Sequence, residues 1–86
     1  MHAAVIEPAR TLASFAPGDS GTIESFLFGA LQAICSDLGI RKGETVSCRA
    51  GTAGVLILDT QDGHTVSVAR DWARFIRIGS VIEPAA

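Results

Sequence analysis

An all-β fold with one inserted helix is what three features of this 86-residue sequence predict. Apolar and polar residues alternate at period two over several short stretches. Turn residues punctuate those stretches at regular intervals, and only one segment switches to helical spacing. Together these describe a small, partly open barrel of about five strands with the helix inserted after the second strand.

The elements follow in order. Pro17-Gly18 fits the centre of a type II turn, where proline presets φ and glycine accepts a positive one. Thr22-Ile23-Glu24-Ser25-Phe26 then has strand-like composition. Leu27, Leu31, Ile34, Cys35 and Leu38 stack on one face of a helix, and Gly39 stands where that helix needs a left-handed cap. After a tight turn at Arg41-Lys42-Gly43-Glu44, Val46 and Cys48 alternate with Thr45, Ser47 and Arg49. Ala50 to Gly54 reads as a small-residue loop, and Val55-Leu56-Ile57-Leu58 as a short apolar strand. Asp62-Gly63 is expected to form a two-residue type I′ hairpin turn. Its return strand turns Val66 and Val68 inward, with Thr65 and Ser67 outward. Arg70 to Arg74 reads as one helical turn whose Trp72 plugs a barrel end, and Phe75 to Ile78 as the closing strand.

Residues 11–79 are thus expected to form one domain between tails at 1–10 and 80–86. Val5-Ile6-Glu7-Pro8-Ala9 recurs as Val81-Ile82-Glu83-Pro84-Ala85. Two copies make no solenoid. They read either as similar strand ends each stopped by a proline, or as segments that pair with each other or across a dimer.

Composition narrows the function. Seven Lys and Arg against nine Asp and Glu give a net charge of −2, whereas a nucleic-acid binder needs a basic excess. Cys35 and Cys48 form no CxxC pair and have no spaced histidines, so they read as buried thiols in a reducing cytosol. There is no leader pattern, and no run approaches the ~18 apolar residues that span a bilayer. The protein is expected to be cytoplasmic.

No nucleophile elbow, HExxH or phosphate loop is present, so the chain is not expected to be an enzyme. Asp62 and His64 resemble an acid–base pair, but Asp-Gly is ordinary turn chemistry. No Cys or His set has metal-ligand spacing, which leaves no assigned metal residues and no tightly bound cofactor. A weak ion site made from Asp, Glu or His64 stays open. The best candidates are cations for a partner: Arg70 and Arg74 four apart on a helical turn, Arg77 beside Phe75, and Arg41 with Lys42 on their turn. A solvated basic face, paired with Asp71, is the plainer alternative.

These residues resemble the FeoA-like domains, the family of ferrous iron transport protein A. The resemblance runs over residues 11–79, through Leu12, Pro17-Gly18, Gly21-Thr22-Ile23, Leu38-Gly39-Ile40, Gly43 and Val46. It closes on Gly63, Val66, Val68, Ala73, Ile76 and Ile78. Phe15 stands where the family more often has leucine. The family implies an SH3-like barrel and a cytoplasmic, non-enzymatic accessory that binds and modulates the FeoB-type GTPase permease. Its association with iron transport leaves weak ferrous or other transition-metal binding open. Apart from the family, a strand edge left open gives a homo-oligomer as one possibility, and neither membrane insertion nor nucleic acid is expected. A related domain ends metal-dependent repressors of the diphtheria toxin repressor type. Without an upstream winged helix, the stand-alone form is the expected one. A transition-metal-binding or metal-sensing module is the alternative function.

Overall fold

Period-two patterning is realised as a six-stranded antiparallel sheet in the order β1-β6-β2-β3-β4-β5. The structure is a computed structural model that describes the backbone of residues 10–82 and the side chains of residues 10–79. Strands β1 (Arg10–Thr11) and β2 (Ser20–Phe26) flank a 3₁₀ turn, Leu12–Ser14. Helix α1 (Gly29–Leu38) follows, then β3 (Thr45–Gly51), β4 (Val55–Asp59), β5 (Thr65–Ala69), α2 (Arg70–Ala73) and β6 (Ile76–Ile82). Helix α1 comes after the second strand only because β1 precedes β2; it follows the first of the strands that alternation and composition reveal. The strand beyond the expected five is β1, whose two residues are too few to show any alternation.

Backbone constraints act locally, and most of the turns match their residues. The Ala16 carbonyl accepts from Asp19 N–H at 3.0 Å, closing the Pro17-Gly18 turn. Gly39 takes φ +92° at the end of α1, and Ile40 N–H then bonds back to the Cys35 carbonyl at 2.8 Å. The β4–β5 hairpin corrects the expected type I′ turn. Such a turn needs Asp62 at positive φ, and no described non-glycine residue has one. Instead the Thr60 carbonyl accepts from Gly63 N–H at 3.1 Å, and Gly63 alone is left-handed, at +93°. The Thr60 hydroxyl decides between the two. Buried, it accepts from His64 N–H at 3.0 Å and donates to the Asp62 carboxylate, locking the longer loop.

One cluster forms the core. Leu12, Phe15, Ile23, Ile40, Val46, Leu56, Leu58 and Ile76 are almost wholly buried, and Cys48 and Val68 join them. Phe15, the departure from leucine, is well accommodated there. From α1 only Leu31 and Cys35 enter; Leu27, Ile34 and Leu38, on the same apolar face by spacing, remain open to solvent. Periodicity places residues on one face, but among the described residues no second element covers this one.

Three boundaries also move. Ala50 and Gly51 are not loop but the end of β3, paired with Ile57 and Leu56 beyond a bulge at Arg49. Strand β6 runs past 79, with Ser80, Val81 and Ile82 opposite Thr22, Gly21 and Ser20. Gly79 sits in a bulge facing a second bulge at Glu24, where an added Cβ would lie 3.3 Å from Glu24 Cβ. At the other end Arg10 belongs to β1 rather than to a tail. Of the recurring pentapeptide, Val81 and Ile82 lie in β6; the first copy, and Glu83 to Ala85, lie outside the described residues.

Candidate functional site

The five candidate cations separate into three environments. Arg41 lies on the turn before β3, 3.7 Å from Glu44 and 3.7 Å from Asp62, with Lys42 exposed next to it. Asp62 there is held below the usual carboxylate range, chiefly by the Thr60 hydroxyl and then by His64 and Arg41. His64 Nδ1 is 3.3 Å from Asp62 Oδ1. These are two potential ligands, and among the described residues no three His, Cys, Asp or Glu side chains converge as a metal site would require.

Arg70 departs from the reading that made it a docking cation. Its Nε donates to the Thr52 carbonyl, and its Nη1 donates to the Ala13 and Phe15 carbonyls at 2.6 and 3.3 Å. The guanidinium thus ties α2 to the β3–β4 loop and to the 3₁₀ turn. Gly51 makes room for it, since a Cβ there would sit 2.8 Å from Arg70 Nη2. Four-residue spacing from Arg74 fixed where Cβ points, but the long side chain turns inward to carbonyls that helix spacing does not reveal. Burial pushes both the Cys35 and Cys48 thiols up, and at Cys48 the Arg70 charge offsets part of that rise. Both are free and buried, as their apolar contexts suggest.

Arg74 and Arg77 do come together. With Thr11, Ser25, Phe26, Leu27 and Phe75 they line an open cavity of about 300 Å³. The Arg74 guanidinium lies 5.4 Å from the Phe75 ring centroid, a cation–π contact. Phe28 meets the same ring edge-on at 5.2 Å. Arg77 Nε is 4.0 Å from Glu24, at the limit of an ion pair, and both side chains are more than half exposed. Two guanidiniums beside an aromatic wall suit an acidic peptide segment that carries an apolar side chain. Thr11 and Ser25, the hydroxyls of this cavity, escaped the sequence reading because β1 and the end of β2 meet here only across β6.

Trp72 is not a barrel plug. At 54% exposed it flanks a second, apolar groove between α1 and β5–α2. Among the described residues no helix is long and apolar enough to cross a membrane.

Neither a protein-family model nor a curated protein sequence matches the chain. Solved structures do. An FeoA-like protein from Clostridium acetobutylicum superposes with a TM-score of 0.77 at 13% identity, over 94% of this chain and 96% of that one. The fold is that of FeoA. FeoA from Stenotrophomonas maltophilia, solved with zinc, matches at a TM-score of 0.71 and 22% identity, over 90% of this chain and all of that one. It is described as a procaryotic SH3 domain protein put forward as a bacterial ferrous iron transport activating factor. A manganese-dependent transcriptional repressor, in complex with manganese, matches at a TM-score of 0.75 and 24% identity. There the likeness covers 88% of this chain but 38% of the repressor, so the FeoA fold forms one part of a longer protein. At these identities the likeness is one of fold, an SH3-like small domain.

Proposed function

We propose that this chain is a non-enzymatic cytoplasmic accessory of ferrous iron transport that binds and modulates a FeoB-type GTPase permease. One observation carries the reading: two of the FeoA neighbours are matched over nearly their whole length, and one of these is put forward as a ferrous iron transport activating factor. The cavity of Arg74, Arg77 and Phe75 supplies the chemistry, taking an acidic segment of the permease's cytoplasmic part. The purified cytoplasmic part of the permease from the same host, titrated with this chain, is the test. Binding is expected to weaken by about thirtyfold or more in Arg74→Glu with Arg77→Glu, since each cation at such a rim is worth on the order of 1 kcal/mol. Arg41→Glu with Lys42→Glu probes the other basic turn. Wild-type affinity in the first variant removes the cavity from the proposal; no binding by the wild-type chain removes the permease.

A metal-binding or metal-sensing module is the second reading, favoured by the zinc and manganese carried by two of the neighbours. In this chain Asp62 and His64 are the residues that would contribute, and weakly. Anaerobic calorimetry with ferrous iron decides: micromolar affinity lost in Asp62→Asn supports this reading, and a flat titration ends it.

A further inference from the structure

Alternation along a strand sends every second side chain to one face, and directly opposite residues on antiparallel neighbours share that face. Thr11 on β1 and Ser25 on β2 both pair with Arg77 on β6, so the three stand in one row across three strands. Ile76 and Ile78, on either side of Arg77, are buried, which puts this row on the face away from the core. Neighbouring strands lie about 4.8 Å apart, so a hydroxyl flanks the base of the Arg77 side chain on each side. Ser14 donates to the Thr11 carbonyl, but neither the Thr11 nor the Ser25 hydroxyl has a hydrogen-bond partner among the described residues. Glu24, 4.0 Å from Arg77 and more than half exposed, is a loose partner that an incoming carboxylate replaces at little cost.

Toward the start of β6 the same cavity turns apolar. Leu27 N–H donates to the Phe75 carbonyl at 3.0 Å, so Leu27 and Phe75 stand opposite each other, two residues on from Ser25 and Arg77. Two residues of strand measure about 7 Å. Leu27 is 67% exposed, an apolar side chain left open at this end of the cavity. Arg74 lies over the Phe75 ring, and no acidic residue lines the cavity. The cavity therefore offers hydrogen-bond donors at one end, an apolar patch about 7 Å away, and a positive charge beside each.

We propose that the cavity reads an acid–x–apolar motif in an extended partner segment: one Asp or Glu, any residue, then one large apolar side chain. This rests on the reading that an acidic segment of a partner occupies the cavity, and adds the spacing that the segment must have. In an extended chain residues i and i+2 project to one side about 7 Å apart, the separation of the two rows. The carboxylate accepts from the Arg77 guanidinium and from the Thr11 and Ser25 hydroxyls, while the apolar side chain lies against Leu27 and Phe75. Acid and apolar residues that are adjacent do not fit, because successive side chains of an extended chain point to opposite sides. Arg74, at the apolar end, supplies attraction and not the choice of residue.

Three short synthetic peptides test it, each of serine, threonine and glycine around one leucine. The first carries glutamate two residues before the leucine, the second glutamate immediately before it, and the third glutamine two residues before it. Nitrogen-15 NMR titration of the full chain, followed at the amides of Thr11, Ser25 and Arg77, gives site and affinity together. The first peptide is expected to bind about fivefold more tightly than either of the others. Thr11→Val with Ser25→Ala should cost the first peptide about fivefold. Arg77→Gln should abolish the preference for glutamate over glutamine, whereas Arg74→Gln should weaken both glutamate peptides alike. Equal binding of all three peptides, no shift at those amides with any of them, or a glutamate preference that survives Arg77→Gln would each overturn the proposal. So would inorganic phosphate that binds the same amides as tightly as the first peptide, which would assign the row to a small oxyanion. Permease binding that is lost in Arg74→Glu with Arg77→Glu, while the peptides go undiscriminated, would end the motif and leave the permease reading standing.

Discussion

Replacing Arg70 with alanine removes three hydrogen bonds from one charged donor, and the structure sets the size of the loss. The Thr52 carbonyl lies on an exposed loop and rehydrates readily, so its share is about 0.5–1 kcal/mol. The bonds to Ala13 and Phe15 are part-buried, and each orphaned carbonyl costs about 1–1.5 kcal/mol. The sum is roughly 2.5–4 kcal/mol, against the ~5–15 kcal/mol by which domains are usually stable. For a domain of this size that corresponds to a fall in Tm of roughly 10–20 °C. Urea unfolding followed by circular dichroism gives the free energy directly. Gly51→Ala supplies the second leg of a double-mutant cycle, because its new Cβ collides with Arg70 Nη2 and presses Leu56 Cδ2 at 3.3 Å. With Arg70 present it should cost about 1 kcal/mol or more; with alanine at 70 it should be nearly neutral. A loss below about 0.5 kcal/mol for Arg70→Ala, or strict additivity with Gly51→Ala, would refute the inward clamp and return Arg70 to the surface.

Acid sensitivity should depend on Asp62 and Asp59. Both carboxyls are held below their ordinary range, Asp62 chiefly by Thr60 and Asp59 by Arg49 and Thr65. A depressed native value means that the unfolded chain binds more protons, so this stabilisation is full above the ordinary carboxylate range. It is lost as pH falls through the lowered native values. Asp62→Asn should therefore flatten the acid limb of a stability–pH curve, and an unchanged limb would show that the Thr60 bond contributes nothing. Gly39→Ala forces a side chain to φ +92° beside the Asp62 carboxylate, 3.4 Å away, and should cost about 1–2 kcal/mol in the same assay. Native Cys35 and Cys48 should react slowly with a thiol reagent near neutral pH and fully in urea, as buried thiols do. Fast native labelling would contradict their burial.

What the sequence made legible is what residues dictate locally. Pro17-Gly18, Gly39 and the alternation of Thr45 to Arg49 each constrain their own few dihedrals, and each structure matches. Illegible were features decided by distant neighbours. The hairpin depended on a Thr60 hydroxyl that captures Asp62, and the spacing of Asp62-Gly63 says nothing of that. Ile34 and Leu38 share a face with Leu31 and Cys35, yet only the tertiary arrangement leaves the first pair uncovered. At the candidate site, Arg74, Arg77 and Phe75 were readable as neighbours in sequence. Thr11 and Ser25 reach the same cavity through the pairing of β1 and β2 with β6. Arg70 was misplaced because helix spacing predicts the base of a long side chain and not its destination.

The placement of β6 between β1 and β2 has a consequence for how the domain comes to exist. Its ladder joins Arg10 to Ile78 and Ser20 to Ile82, contacts between segments remote along the chain. Loop-closure entropy must be met before any of these contacts contributes, so the chain should cross its barrier on the millisecond-to-second scale of all-β domains, not the microseconds of helical bundles. Until β6 docks, one edge of β2 stands bare, and a kinetic intermediate would present that edge to other chains.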